Sequence, residues 1–151
     1  MGRFASIFAV VATAGLAWFR LAPTEPAVWH VDPLRAPVPA GSGWLLRSGD
    51  GNGDAQRFSQ PPGEVLAALD DIALATPRTD RVAGSTGTGR LTYVTRSLVF
   101  GFPDYTTVQA APAEGGTELT VFARQRFGAK DMGVNRKRVE DWMARLRKRL
   151  G

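Results

Sequence analysis

The chain contains no cysteine and a single histidine, His30. Without cysteine there can be no disulfide, thiolate metal site, sulfur nucleophile or lipid-modified cysteine anchor. A lone histidine is equally restrictive, because zinc sites need three or four converging ligands. Asp32, in "WHVDP", is too near His30 in the chain to make a site with it alone, so His30 reads as a structural or solvent-facing residue. No Gly-x-Ser-x-Gly elbow occurs, and a serine triad would need partners that are not found. Gly87-Thr88-Gly89 lacks the spacing and the following helix that a phosphate loop requires. "DGNGD" places Asp50, Asn52 and Asp54 at calcium-loop spacing. However, Ala55 stands where the loop needs Gly, and Pro61 stands where it needs the closing Glu. A Gly-rich turn accounts for that stretch, and neither a metal nor a cofactor is expected.

The charge is unevenly distributed. The net charge is +5 over 151 residues, yet residues 124–149 hold ten Lys or Arg against Asp131, Glu140 and Asp141, a net of +7. The remainder of the chain is slightly acidic. A basic C-terminal segment suits nucleic acid, acidic headgroups or an anionic partner, and it also suits a plain solvated helix face. Nucleic acid is not expected as a partner, because no exposed aromatics interleave with the basic run.

Charge is absent from Phe4 to Phe19. Those residues would span about 24 Å as a helix, and counting Arg20 to Ala22 with a snorkelling arginine brings the span to about 28 Å. Trp18 and Phe19 sit where an interfacial aromatic belt would lie. An uncleaved signal anchor and a cleaved signal peptide are both compatible with this pattern. The bulky "LAWFRLA" lacks the small residues that a cleavage site wants, which favours the anchor. Residues 1–22 are therefore expected to cross a bacterial inner membrane once. The N-terminus would be cytoplasmic and the rest periplasmic, although Arg20 opposes Arg3 in setting that orientation.

Residues 23–60 are rich in Pro, Gly and Ala and show no persistent period. They read as an extended tether that drapes over the domain, fastened by Trp29, Trp44, Leu45 and Leu46. Residues 61–151 read as the folded unit. Pro62 opens and Pro77 closes a helix whose stripe is Val65, Leu66, Leu69 and Ile72. Asp70 and Asp71 point about 100° apart on it and are expected to be solvated. Alternating runs with short turns then give a meander of about four strands. The expected fold is α+β, in the order α-β-β-β-β-α, with both helices on one sheet face.

The terminal helix is the most informative segment. With Asp131 as N-cap, Met132, Val139, Trp142, Met143, Leu146 and Leu150 form one stripe, and Asn135 falls inside it. A buried amide must find partners. Backbone groups of the last strand or the tether are expected to supply them, and Gly133 is expected to admit a close neighbour. Arg136, Lys137 and Arg138 then fall in the second turn, clear of the worst macrodipole penalty. Asp131, Gly133 and Asn135 together read as a structural latch.

"RQRFGAKDMGVNRKRVEDW" and "RSLVFGFPDY" resemble the bacterial domain-of-unknown-function 1499 family. Arg124, Arg126, Gly128, Asp131, Gly133, Asn135 and Arg138 match its pattern, whereas Ala123 and Gln125 replace serines. The resemblance covers roughly residues 60–150. It implies no activity, since the family is uncharacterised, but it does imply a membrane or export segment in many members. The function expected is that of a membrane-tethered, non-catalytic module. Arg124, Arg126, Arg136 and Arg138 would bind an anionic lipid or a protein partner, with side chains 124 and 126 sharing one sheet face. The competing expectations are that these arginines pair with Asp104, Asp131 or Glu140 as structure, or that Asp104, Asp131 or His30 serves an unrecognised hydrolase site.

Overall fold

A computed structural model describes Gly15, Trp18 and residues 21–151. Most of the expected membrane helix over 1–22 lies outside the described residues. Among those described, no helix is long and apolar enough to cross a membrane.

The elements run α1 (Pro26–Trp29), β1 (Gly43–Leu46), β2 (Gln56–Phe58), α2 (Pro62–Leu74), β3 (Thr79–Ser85), a 3-10 turn (Thr86–Thr88), β4 (Arg90–Arg96), β5 (Pro103–Ala113), β6 (Gly116–Gln125) and α3 (Val134–Leu150). β3 to β6 form the expected antiparallel meander. The sheet is nevertheless six-stranded, in the order β1-β6-β5-β4-β3, with β2 also pairing β6. The tether thus supplies two strands where an irregular stretch was expected. The physical reason is β6, whose outer edge would otherwise present a row of unpaired backbone groups. Gly43 to Leu46 covers Arg124 to Val121, and Gln56 to Phe58 covers Leu119 to Thr117. A side chain at 43 could not fit, because a Cβ there would lie 2.3 Å from the Ala123 carbonyl oxygen. The opposite edge strand, β3, carries a bulge between Arg81 and Ala83, a feature that blunts edge-to-edge pairing.

Alternation assigns the two faces of the sheet. Leu46, Leu91, Tyr93, Val108, Ala110, Leu119, Val121 and Ala123 pack with Val65, Leu66, Leu69 and Ile72 of α2 and with Val139, Trp142, Met143 and Leu146 of α3. Both helices therefore cover one face, as their apolar stripes require. Trp142 is edge-on to Tyr93 at 5.6 Å, and its Nε1 donates to Thr76 Oγ1 at 2.9 Å. The opposite face is covered by the chain's own residues 22–36.

Asp70 departs from the expected solvated state. It is 8% exposed and accepts from Tyr93 Oη at 2.9 Å, from Arg81 Nε at 3.0 Å and from Arg81 Nη2. Burial pushes the Tyr93 phenol up, reinforced by Asp70. Asp70 lies one turn from Leu66 and from Ala73, so it belongs to the buried stripe. Asp71 is the solvated neighbour and pairs with Arg149 at 2.6 Å.

Candidate functional site

The start of α3 differs from the expected start in an instructive way. The helix begins at Val134, because Met132 (φ 53°) and Gly133 (φ 81°) are both left-handed. Asp131 still does the capping. Its Oδ1 accepts from the Gly133 amide at 2.9 Å and its Oδ2 from the Asn135 amide at 3.1 Å. Met132 is consequently 95% exposed rather than part of the stripe. Gly133 is needed for its positive φ rather than for close approach, since a Cβ there would meet nothing within 4 Å. The later start also puts Arg136 within the first turn, where it opposes the macrodipole; the Asp131 carboxylate offsets that charge.

Asn135 is fully buried, as expected. Its partners are side chains rather than the backbone groups anticipated. Nδ2 donates to Asp104 Oδ2 at 3.4 Å, and Oδ1 accepts from Arg138 Nη2. Arg138 Nη1 lies 3.6 Å from Asp104 Oδ2, and Nη2 lies 3.5 Å from Thr106 Oγ1. Burial raises the Asp104 carboxyl, with Arg138 pulling it the other way. Burial likewise lowers Arg138, opposed by Asp104. The result is an interior knot joining α3 to β5.

Arg124 and Arg126 lie on the opposite sheet face. Trp29 stacks on Tyr105 with ring centroids 3.8 Å apart and 9° between planes. Arg124 donates to the Trp29 carbonyl through Nη2 and to Thr107 Oγ1 and the Phe122 carbonyl through Nη1, both at 3.3 Å. Its guanidinium lies 5.5 Å from the Trp29 ring centroid and 4.5 Å from that of Phe122. Burial lowers Arg124 to about 10, so it remains a cation at neutral pH. Arg126 donates to the Pro23 carbonyl at 2.8 Å, and Arg96 to the Ala22 carbonyl at 3.3 Å. Arg47 donates to the carbonyls of Pro33 and Ala36 at 2.9 and 2.8 Å. Arg90 pairs with Asp32 at 3.4 Å. Five arginines thereby hold residues 22–36 against the sheet. A planar fork with several donors suits carbonyl oxygens that a lysine would meet as a point charge.

His30 belongs to the same strap. Its Nδ1 lies 2.9 Å from Thr92 Oγ1, and burial, helped by Arg90, lowers its pKa. It is on the outer face, whereas Asp104 is on the helix face and Asp131 caps α3. Of the three residues of the hydrolase expectation, Asp104 and Asp131 come together at Asn135, bonded to its Nδ2 and its amide respectively, whereas His30 is on the other side of the sheet. In "DGNGD", Asp50 accepts from Arg47 Nε at 2.6 Å and Asn52 Oδ1 accepts from the Leu45 amide at 2.9 Å. Among the described residues no group of three or more His, Asp or Glu is placed to hold a metal.

The four arginines expected to form one patch are therefore divided. Arg124 and Arg126 grip the strap, and Arg138 is interior. Arg136 remains at the surface, ion-paired to Glu140 at 2.7 Å with its guanidinium 4.7 Å from the Trp44 ring centroid. Beside it a cleft of about 270 Å³ is lined by Trp44, Lys130, Met132 and Arg136, with Pro39 and Gly41 at its wall. Sequence reasoning missed that cleft, because Trp44 and Lys130 meet across it only after β1 has paired with β6.

These features define a class of protein: a single antiparallel sheet backed by two helices, with its own N-terminal strap across the other face. The profile of the family described as "Protein of unknown function (DUF1499)" matches residues 42–146, and the chain belongs to that family. Two solved structures are similar to it. Protein MLL2253 from Mesorhizobium loti is 15% identical with a TM-score of 0.46, over 62% of this chain and 91% of that one. Protein CV1439 from Chromobacterium violaceum is 16% identical with a TM-score of 0.43, over 64% and 91% respectively. No curated protein matches at a significant level.

Proposed function

We propose that the protein is a non-catalytic module tethered to the bacterial inner membrane by residues 1–22, with its domain on the periplasmic side. On this reading it presents a basic, partly aromatic cleft to an anionic group of a lipid or protein partner. The observation that carries the reading is the strap. The stretch that follows the apolar N-terminal run is folded into the domain, held at the Pro23 and Trp29 carbonyls by Arg126 and Arg124. A module so fastened would stay close to the membrane that holds its N-terminal run. The groups that an enzyme would need are used structurally: Asp131 on helix amides, Asp104 on Arg138 and Asn135, His30 on Thr92. Within the basic set, Arg136 and Lys130 are the cations that open onto the cleft, and Trp44 offers an aromatic wall for a guest with an apolar part.

The tether is tested by a reporter fused after Gly151, which should be active only outside the cytoplasm; cytoplasmic activity would refute the orientation. The cleft is tested on the full chain in detergent, by titration with a soluble short-chain phosphatidylglycerol and with an acidic peptide. The Arg136→Glu/Lys130→Glu variant should remain folded and bind neither probe. Undiminished binding of both would remove the cleft from the proposal.

A further inference from the structure

We propose that the β4–β5 connection, led by Leu98 and Phe100, dips into the headgroup layer of the same bilayer that holds the N-terminal run. The inference rests on the tether reading and adds a second contact to it.

The connection is unusual for a surface turn. Leu98 is 70% exposed and Phe100 50% exposed, and they are part of the run "SLVFGF". The turn is nonetheless well formed. The Gly101 amide donates to the Ser97 carbonyl at 3.1 Å, the Ser97 amide to the Phe102 carbonyl at 3.0 Å, and the Phe102 amide to Ser97 Oγ at 3.0 Å. Phe100 is stacked on Phe102 with centroids 5.4 Å apart. The apolar side chains are therefore displayed by a closed turn with its own hydrogen bonds. That arrangement suits a medium poor in water, where backbone groups need internal partners.

The position of the turn identifies what it meets. Arg96, which ends β4, donates to the Ala22 carbonyl, and Arg126, just past β6, donates to the Pro23 carbonyl. The tether thus joins the domain at the sheet end from which Ser97 to Phe102 projects. Phe19, the last residue of the uncharged run, is three residues from Ala22, a separation of at most about 11 Å. A bilayer holding that run lies alongside the turn. Charge at this end is complementary to anionic headgroups, with Arg78, Arg126 and Lys130 against the exposed Asp80 and the capping Asp131. Exposed apolar side chains with an aromatic among them, at a sheet end where cations outnumber acids, match the layered chemistry of a membrane interface.

The absence of cysteine makes the test direct. The full chain is reconstituted in vesicles of phosphatidylcholine and phosphatidylglycerol as single-cysteine variants Leu98→Cys, Glu114→Cys and Ala9→Cys. Each carries an environment-sensitive fluorophore, and the lipids carry nitroxide quenchers. Glu114, exposed in the turn at the far end of the sheet, is the water reference. The expected result is a blue-shifted emission and a several-fold quench at positions 9 and 98, with neither at 114. Quenching at 9 with a label at 98 as wet as that at 114 would overturn the inference and leave the tether standing. An unquenched label at 9 would remove the tether, and the inference with it.

Discussion

The two faces of the sheet are covered by different chemistry. On one face, two helices bury a continuous apolar core of Leu, Val, Ile and Trp side chains, and charge is concentrated in two interior knots, Asp70–Arg81–Tyr93 and Asp104–Asn135–Arg138. On the other, residues 22–36 lie on threonines, tyrosine and arginine, held mainly by guanidinium-to-carbonyl hydrogen bonds and one stacked aromatic pair, with a small apolar cluster of Val31, Ala36, Leu45 and Phe122. The first face is stabilised by area removed from water, which is non-directional and tolerant of detail. The second depends on directional donors, so it is specific in geometry and separable from the core. The lesson is that the arginine richness of this chain serves its interior organisation as much as its surface.

The contrast can be broken at either face. The largest effect is expected from Trp142→Ala, which empties the helix face and leaves Thr76 without its indole partner. Chemical denaturation should show a loss of about 3–5 kcal/mol, with the whole domain affected. Arg124→Ala removes three hydrogen bonds from the outer face and should cost about 1–3 kcal/mol. Arg124→Lys should not restore it, since an ammonium cannot reproduce the fork. Asp131→Ala removes the acceptor for two amides at the start of α3 and should cost about 0.5–2 kcal/mol, read as a lower Tm with an unchanged core spectrum.

The smallest effect is one of pH. The folded-state pKa of His30 is lowered, so the unfolded chain takes up the proton first. The stability that a neutral His30 contributes is whole above its ordinary value of 6.5 and declines as pH falls from there toward the folded value. His30→Gln should remove that slope just below pH 6.5 and leave the stability at higher pH nearly unchanged. An identical slope in the variant would place the titration elsewhere.

Much of the helix face was legible in the sequence. The period of α2 and α3 marked their buried sides, the turns marked the meander, and the helical phase of Asn135 correctly placed it in the interior. Asp70 obeys the same rule but was judged against its neighbour Asp71 rather than against the stripe it shares with Leu66 and Ala73. The outer face was less legible. Trp29 was recognisable as a fastening point, but β1 and β2 are four and three residues long, too short for alternation to register. Their identity as strands comes from the open edge of β6, about sixty or more residues away in the chain. The division of the four arginines was hidden for the same reason. Strand alternation puts 124 and 126 together, but only the folded strap supplies the carbonyls that occupy them.

The central claim is that residues 22–36 are held to the sheet as a separable layer by five arginines, with Arg124 gripping the Trp29 carbonyl at its centre. Amide hydrogen exchange of the full chain, compared with Arg124→Ala, tests it most directly. The account predicts that protection within residues 22–36 falls sharply in the variant, while the β3–β6 meander and both long helices keep theirs. Unchanged protection across the strap, or a uniform loss over the whole domain, would contradict it.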